Sequence, residues 1–409
     1  MADIKSSPSR LSGLPPELFE LVAEEVDSED LFALRSTCRE IGHKDHRTFL
    51  DVHFSSKAFL LSSPESMRML VDLSKHNIFG PAIQRINLHV QMISTQSHYY
   101  TIRRDHGDEA ALNREQRLEL REGRRQYQQV ADAHRQFWKL KAWVAPLTEA
   151  LQNVKNSRGS VKLSLVYYQS SKDIGVLTKT LSGRKVLDRR LGHDLETEWL
   201  DFAGEEQASL MDAIGLGGCP VTEFVLGKQH LDTFNRSQLS NFYDFAAITD
   251  KTLFAGLRML DVSLWVKHWR PYPEAEEGVR RQRWQMRLLI QFLSGAKHLE
   301  KLTLRCGYGK NFHCFQGFAL VAKLPKIKEL TLILLEPRPG DLLIFCIQHR
   351  STLKRLGVSP PQRPPHLMKG WREHMSDWDP MENLREATDR LCPGVAVVPH
   401  QIKPSEYSQ

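Results

Sequence analysis

The side chains of this 409-residue chain that can ligate, attack or carry protons do not converge on a reaction. Cys306, His313 and Cys314 are the nearest thing to a metal-ligating group, but their spacing matches no zinc pattern and no fourth ligand stands near. Gly215-Leu216-Gly217-Gly218 has the glycine content of a phosphate loop without its Lys-Ser/Thr pair, and it follows a helical segment instead of a strand. A helix-terminating turn accounts for it. No Ser or Cys stands in a nucleophile-elbow context, the 17 histidines form no HExxH, and Cys392-Pro393-Gly394 fits a turn. Asn235-Arg236-Ser237 is a glycosylation string, expected to be unused because Met1 to Arg10 is polar and has no apolar signal core. These patterns call for no cofactor and no metal, and they point away from catalysis toward binding.

Bulk composition narrows the class. Hydrophobic content of 41% and charged content of 26% suit a soluble globular chain long enough for a large core or two domains. No apolar run approaches the ~18 residues a membrane helix needs. Six scattered cysteines form no paired framework, so reduced thiols and a cytoplasmic or nuclear location are expected. The net charge of +7 is a weak pointer to an acidic partner. Its densest groups, Arg121, Arg124 and Arg125, then Arg280, Arg281 and Arg283, are broken by other residues and fit solvated helix faces.

The elements that must carry any binding site begin with a helical hairpin. Leu14-Pro15-Pro16-Glu17-Leu18 opens it, because proline fixes φ near the helical value and its missing N–H costs nothing in a first turn. Leu18, Leu21, Val22 and Val26 follow at helical spacing. Asp27 and Ser28 suit the cap of a second helix, and Glu29 and Asp30 place negative charge at its positive end. That helix runs through Leu31, Leu34 and Cys38, with Arg35 and Arg39 between and beyond. Leu14 has nothing local to cover it. Burial of a Leu is worth about 1.5–3 kcal/mol, so this surplus apolar surface needs a partner or the main domain to cover it.

These residues resemble the F-box, across both the Leu14-Pro15…Leu18 and the Leu31…Leu34-Arg35…Cys38-Arg39 segments. The resemblance implies docking onto a Skp-type adaptor, which links to a cullin and a RING protein in a ubiquitin ligase. It implies that Leu14, Pro15, Leu18, Leu31, Leu34 and Cys38 carry adaptor contacts or the packing behind them. Ile41-Gly42-His43 stands where many F-boxes carry a Trp after the Cys-Arg pair. The stretch to Val90, through Phe49…Phe54-Ser55-Ser56, Ser63-Pro64-Glu65-Ser66 and Leu70-Val71-Asp72-Leu73, is similar to fungal F-box proteins.

Beyond residue 80 one pattern recurs, apolar-x-x-apolar-x-apolar. It runs through Ile83…Ile86-Asn87-Leu88, Val221…Phe224-Val225-Leu226, Leu257…Leu260-Asp261-Val262, Leu299…Leu302-Thr303-Leu304, Ile327…Leu330-Thr331-Leu332 and Leu353…Leu356-Gly357-Val358, with Val161 to Leu165 a related strand. Its last two apolar positions alternate with polar ones, as in a strand with one buried face. Helical stretches precede these strands: from Ser63-Pro64-Glu65, and near 203–214, 237–254, 282–292, 315–322 and 341–349. Such alternation predicts a parallel sheet. Strand spacing shortens from 42 residues (Leu260 to Leu302) to 28 (Leu302 to Leu330) and 26 (Leu330 to Leu356). The units resemble degenerate leucine-rich repeats without the usual Asn after the strand. That likeness implies an arc whose outward strand positions line a concave face able to bind a protein. Arg85, His89, Asp261, Lys301, Arg305 and Arg355 are the target-binding candidates among them.

Residues 101–156 break the rhythm, and one long helix is expected there, polar in its first half and packed in its second. From Ser359 the repeats are expected to stop. Pro360, Pro361, Pro364 and Pro365 form a linker, Trp371, Trp378, Met381 and Leu384 a capping element, and the end from Pro399 a disordered tail. The expected fold class is α/β: an F-box-like helical domain at 10–50, a leucine-rich-repeat-like arc of alternating helices and parallel strands at 51–358 with the helical insertion 101–156, and the tail region 359–409. The resemblances imply a non-catalytic substrate-recognition subunit of a Skp–cullin–F-box ubiquitin ligase. Two readings stand beside it: a protein-binding scaffold that assembles no ligase, and nucleic-acid association.

Overall fold

The computed structural model describes residues 11, 13–37, 39–44, 46–93, 114–166, 197–199, 205–228, 254–264, 286–306, 313–333, 339–359 and 380–399. Cys38, residues 101–113 of the expected insertion, most of the helix expected over 237–254, the Arg280–Arg283 cluster, and Trp371 and Trp378 lie outside the described residues.

Four short helices open the chain: α1 (Pro16–Glu24), α2 (Ser28–Thr37), α3 (Arg39–Lys44) and α4 (His46–His53). Pro16 occupies the first turn of α1, and Glu17 adds negative charge at that positive end. The Leu31 N–H donates to the Asp27 carbonyl, which puts Asp27 at the cap of α2. Phe19, Ala23, Leu31, Ile41 and Phe49 form a small core of their own, with Leu14, Val26, Leu34 and Phe54 against it.

After α4 the chain passes through Phe54 and Ser55 into β1 (Ser56–Leu60), and helices and strands then alternate. α5 (Pro64–Lys75), capped by the Ser63 side chain on the Ser66 N–H, and α6 (Phe79–Ala82) lead to β2 (Arg85–His89). β3 (Gln91–Ile93) pairs antiparallel with β5 (Thr197–Trp199) as a separate ribbon. α7 (Arg114–Lys139) and α8 (Val144–Arg158) precede β4 (Val161–Val166); α9 (Glu205–Gly217) precedes β6 (Val221–Lys228). β7 (Met259–Leu264), α10 (residues 286–293), β8 (Lys301–Cys306), α11 (His313–Val321), β9 (Glu329–Ile333), α12 (Pro339–Gln348) and β10 (Arg355–Ser359) continue the alternation. α13 (Pro380–Leu391) and β11 (Ala396–Pro399) close it.

The result is an α/β fold with a nine-stranded sheet in the order β1-β2-β4-β6-β7-β8-β9-β10-β11. Every pairing in it is parallel, so each strand lies beside the next one of this sheet in the chain. The recurring apolar pattern builds it. Its first apolar residue closes a tight turn, with the N–H of Ile83, Leu257, Leu299, Ile327 and Val395 donating to the carbonyl three residues back. Its last two point into one continuous core, where Ile86 and Leu88, Leu302 and Leu304, or Leu330 and Leu332 meet helix residues such as Leu70, Leu151, Phe318 and Phe345. Helices pack side by side with their neighbours, α5 on α8, α8 on α9, α11 on α12 and α12 on α13. The oppositely facing strand residues take no part in this core.

Two expectations are corrected. Residues 114–158 form two helices, not one. Lys141 adopts a left-handed conformation (φ 52°), its N–H donates to the Trp138 carbonyl and that of Ala142 to the Phe137 carbonyl, the pair of hydrogen bonds that ends a helix. Buried Trp138 and Trp143 stack across the corner at 5.8 Å. α8 then lies between α5 and α9 in the helix layer, so it belongs to a helix–strand unit and is no insertion. The units also continue past Ser359. α13 buries Leu384 and Thr388, and β11 adds a ninth strand beside β10. Among the described residues no helix is long and apolar enough to cross a membrane.

His349 ties two units together. Its Nε2 accepts the Leu324 N–H at 3.2 Å and its Nδ1 donates to the Phe345 carbonyl at 3.0 Å, which requires a neutral ring. Burial holds its pKa below the usual imidazole value, partly offset by the bond to Phe345. A base whose pKa is depressed on folding binds its proton preferentially in the unfolded chain. Its contribution is therefore intact above about pH 6.5 and is lost as pH falls toward the folded-state pKa. Urea midpoints measured between pH 7.5 and 5 are expected to fall with pH, and His349→Gln to flatten that slope. An unchanged slope in the variant would remove His349 as the cause.

Candidate interaction surfaces

α1 carries apolar side chains on two adjoining faces, separated from a polar stripe of Glu17 and Glu20. Phe19 and Ala23 are buried in the head core, whereas Leu18, Leu21 and Val22 are 50%, 59% and 40% exposed. The helical face read from spacing as 18, 21, 22 and 26 therefore splits: Val26 packs inward and the other three project outward. Pro15 is exposed beside them, and Leu14 is half-buried against the core. Leu31 is fully buried and Leu34 packs on the same core, so both stand behind the exposed patch and not in it. A cation–π contact of Arg35 over Phe49 (4.0 Å) closes the underside of the head.

The second surface is the sheet face turned away from the helices. In-register pairing arranges it in rows. One row, near the strand starts, runs Ser56, Arg85, Lys162, Glu223, Met259, Lys301, Glu329, Arg355, Ala396. The next holds small or short side chains: Ala58, Asn87, Ser164, Val225, Asp261, Thr303, Thr331, Gly357, Val398. Charges in the first row pair across strands. Glu223 takes the Lys162 ammonium on one oxygen at 2.7 Å and the Arg85 guanidinium, two strands away, on the other. Lys301 pairs with Glu329 at 3.1 Å, and one residue earlier in each unit Lys328 pairs with Glu300 at 2.9 Å. That last bond, first among several causes, holds the Glu300 carboxyl below its usual range. The last two pairs span 28 residues, the repeat of the β8 and β9 units.

Of the six target-binding candidates, Arg85, Lys301 and Arg355 stand in the charged row with accessible side chains, Arg355 without an ion pair among the described residues. Arg305 follows on β8, its side chain outside the described residues. His89 and Asp261 are on this side of the sheet but only 2% and 6% exposed, so they are corrected from accessible lining to interior positions. Sequence reasoning did not pick out the Lys328–Glu300 pair, although Glu300-Lys301, Lys328-Glu329 and Lys354-Arg355 mark the same two positions of successive units.

Reactive groups are sparse. Cys219 and Cys346 are buried, and burial pushes their thiols up to about 11 and about 12, which keeps them protonated. No cluster of three or more metal-ligating side chains occurs among the described residues. A scan against protein-family models matches none, and a search of curated proteins finds no similar one.

The split of α1 has a direct consequence for stability. Leu18→Ala and Leu21→Ala are expected to change unfolding free energy by no more than about 0.5 kcal/mol, the usual range for surface positions. Phe19→Ala, fully buried, is expected to cost about 3–5 kcal/mol. Comparable losses at all three positions in chemical denaturation would mean that the patch is core.

Proposed function

We propose that the chain is a non-catalytic substrate-recognition subunit of a Skp–cullin–F-box ubiquitin ligase. Helices α1 to α4 serve as the F-box, docking onto a Skp-type adaptor, and the helix–strand units form a leucine-rich-repeat-like arc whose sheet face, along its exposed charged row, holds a protein target. The single observation that carries this reading is the exposed Leu18, Leu21 and Val22 patch beside Pro15, on a helix anchored from behind by Phe19 and Leu31. Three adjacent apolar side chains left in water on a helix with its own packed core are the kind of surface a partner covers. The sheet supports the second half of the reading. Its outward rows mix charge with short side chains, which suits protein recognition. Catalysis would come from proximity, since a target held near a charged conjugating enzyme reacts at raised effective concentration.

A second reading, a scaffold that assembles no ligase, is favoured by Gly42 within α3, where many F-boxes place a Trp. Pull-down of a Skp-type adaptor and a cullin separates the two. Wild type is expected to retain both, and Leu18→Ala/Leu21→Ala to lose both while keeping its circular dichroism. Retention of adaptor without cullin, or of neither, assigns the protein to the scaffold reading.

A further inference from the structure

A run of cations lies along the edge of the sheet where strands β7 to β10 begin. Arg258 precedes β7, Lys301 opens β8, Lys326 and Lys328 precede β9, and Lys354 and Arg355 lead into β10; all six are exposed. Glu300 and Glu329 are the two carboxylates within the same turns. They are taken up by Lys328 and Lys301. Among the described residues Lys354 and Arg355 have no ion pair, whereas Arg258 and Lys326 lie close enough to Glu300 to help hold its carboxyl below the usual range, and the Lys326 ammonium also meets His298 Nδ1 at 2.9 Å. Three further cations, Lys297, Lys323 and Arg350, follow the ends of α10, α11 and α12, where the helix dipole accounts for them. The six nearest the strands have no such account. The edge is bounded on both sides: Pro220 precedes β6 and Thr222 and Glu223 follow at its start, and the turn before β11 presents Pro393 and Gly394.

We propose that this basic edge binds an acidic, extended polypeptide segment of the target. The inference takes from the proposed function only that the sheet side of the molecule holds a protein. Neighbouring strands lie about 4.8 Å apart, so the three steps from β7 to β10 span about 15 Å, the length of four or five extended residues. A segment with two or three carboxylates in that length meets Arg258 at the β7 end and Lys354 and Arg355 at the β10 end, with Lys326 between, while the two internal ion pairs set its register. Polypeptide is favoured over nucleic acid by two features. Glu300 and Glu329 interrupt the cations at intervals that an unbroken phosphate backbone would meet as repulsion. The turns also expose no Phe, Tyr or Trp on which bases could stack.

Fluorescence anisotropy on the full chain tests this with two probes, a short labelled Glu/Asp-rich peptide and a single-stranded oligonucleotide of equal charge. Wild type is expected to bind the peptide with affinity that falls as salt rises. Lys354→Glu/Arg355→Glu is expected to weaken it about tenfold or more. Arg114→Glu/Arg121→Glu, the same charge change on the exposed face of α7, is expected to leave it within about twofold, as for sites separated by more than a Debye length. No peptide binding at low salt, equal losses in both double variants, or tighter binding of the oligonucleotide would each overturn the proposal, the last by assigning the edge to nucleic acid. Adaptor retention by the same proteins keeps the two claims apart. A wild type that binds peptide as described but retains no adaptor leaves the basic edge standing and removes the ligase reading alone.

Discussion

A carbonyl oxygen shared between two N–H groups sets the level at which successive strands join the sheet. The Ser55 carbonyl accepts from Gln84 and Arg85, Arg258 from Glu300 and Lys301, Glu300 from Lys328 and Glu329, and Lys328 from Lys354 and Arg355. Each carbonyl has two lone pairs, and here both are used by the next strand. Because the acceptor sits just before its own strand, the donor strand starts at the same height, and slippage by one residue would break both bonds and turn every apolar side chain out of the core. The rows of the outer face, the 28-residue ion pairs and the basic edge all follow from this fixed starting level.

Level starts also explain why charge collects where it does. The turn between a helix end and the next strand must bury one apolar residue, such as Leu299 or Ile327, and return the backbone to the sheet. The residues after it face solvent at the rim, so they are polar in most units, Met259 and Ala396 being the exceptions. Between neighbouring units of opposite sign they pair, as Glu300-Lys301 does with Lys328-Glu329. Lys354-Arg355 follows with two positive charges against a Glu329 already bonded to Lys301. Exposed pairs of this kind contribute about 0–1 kcal/mol each, so they shape the surface more than they hold the fold. The fold is held by the single core beneath the sheet.

That division governs what the sequence made legible. Six strands of the parallel sheet were readable because apolar-x-x-apolar-x-apolar is the core itself, and β4 through the alternation of Val161, Leu163 and Leu165. β1 and β11 were not, since neither carries the full pattern; in β11 the alternation is cut short after Val395 and Val397. The helix break at Lys141 was hidden because a left-handed helix end normally announces itself by Gly, and here a Lys takes the conformation. On α1, periodicity finds Leu18, Leu21 and Val22 but also Phe19, Ala23 and Val26, and nothing local decides which side faces in. Only the positions of α2 and α4 settle that. Alternation likewise puts His89 and Asp261 on the correct side of the sheet while remaining blind to how deeply that side is covered.

The head and the sheet are joined by more than a linker, and this bears on how a proximity device would work. The rings of Phe54 and Phe79 stack at 4.2 Å, nearly parallel, with Phe49 of the head core on one side and His76 on the other. Lys57, its pKa lowered by burial, lies over the Phe54 ring at 4.7 Å. The Ser55 hydroxyl donates to the Asp51 carbonyl, while the Ser55 carbonyl receives β2. The last turn of α4, the first strand and the α5–α6 corner thus share one aromatic stack and one set of backbone bonds, with no flexible spacer among them. Among the described residues the head core holds five buried side chains, and this joint adds to their packing as well as orienting the head. On the adaptor-docking reading the consequence is geometric. A target on the sheet would be held at a fixed distance and angle from the adaptor, because effective concentration depends on restricted geometry and a loose tether would dilute it.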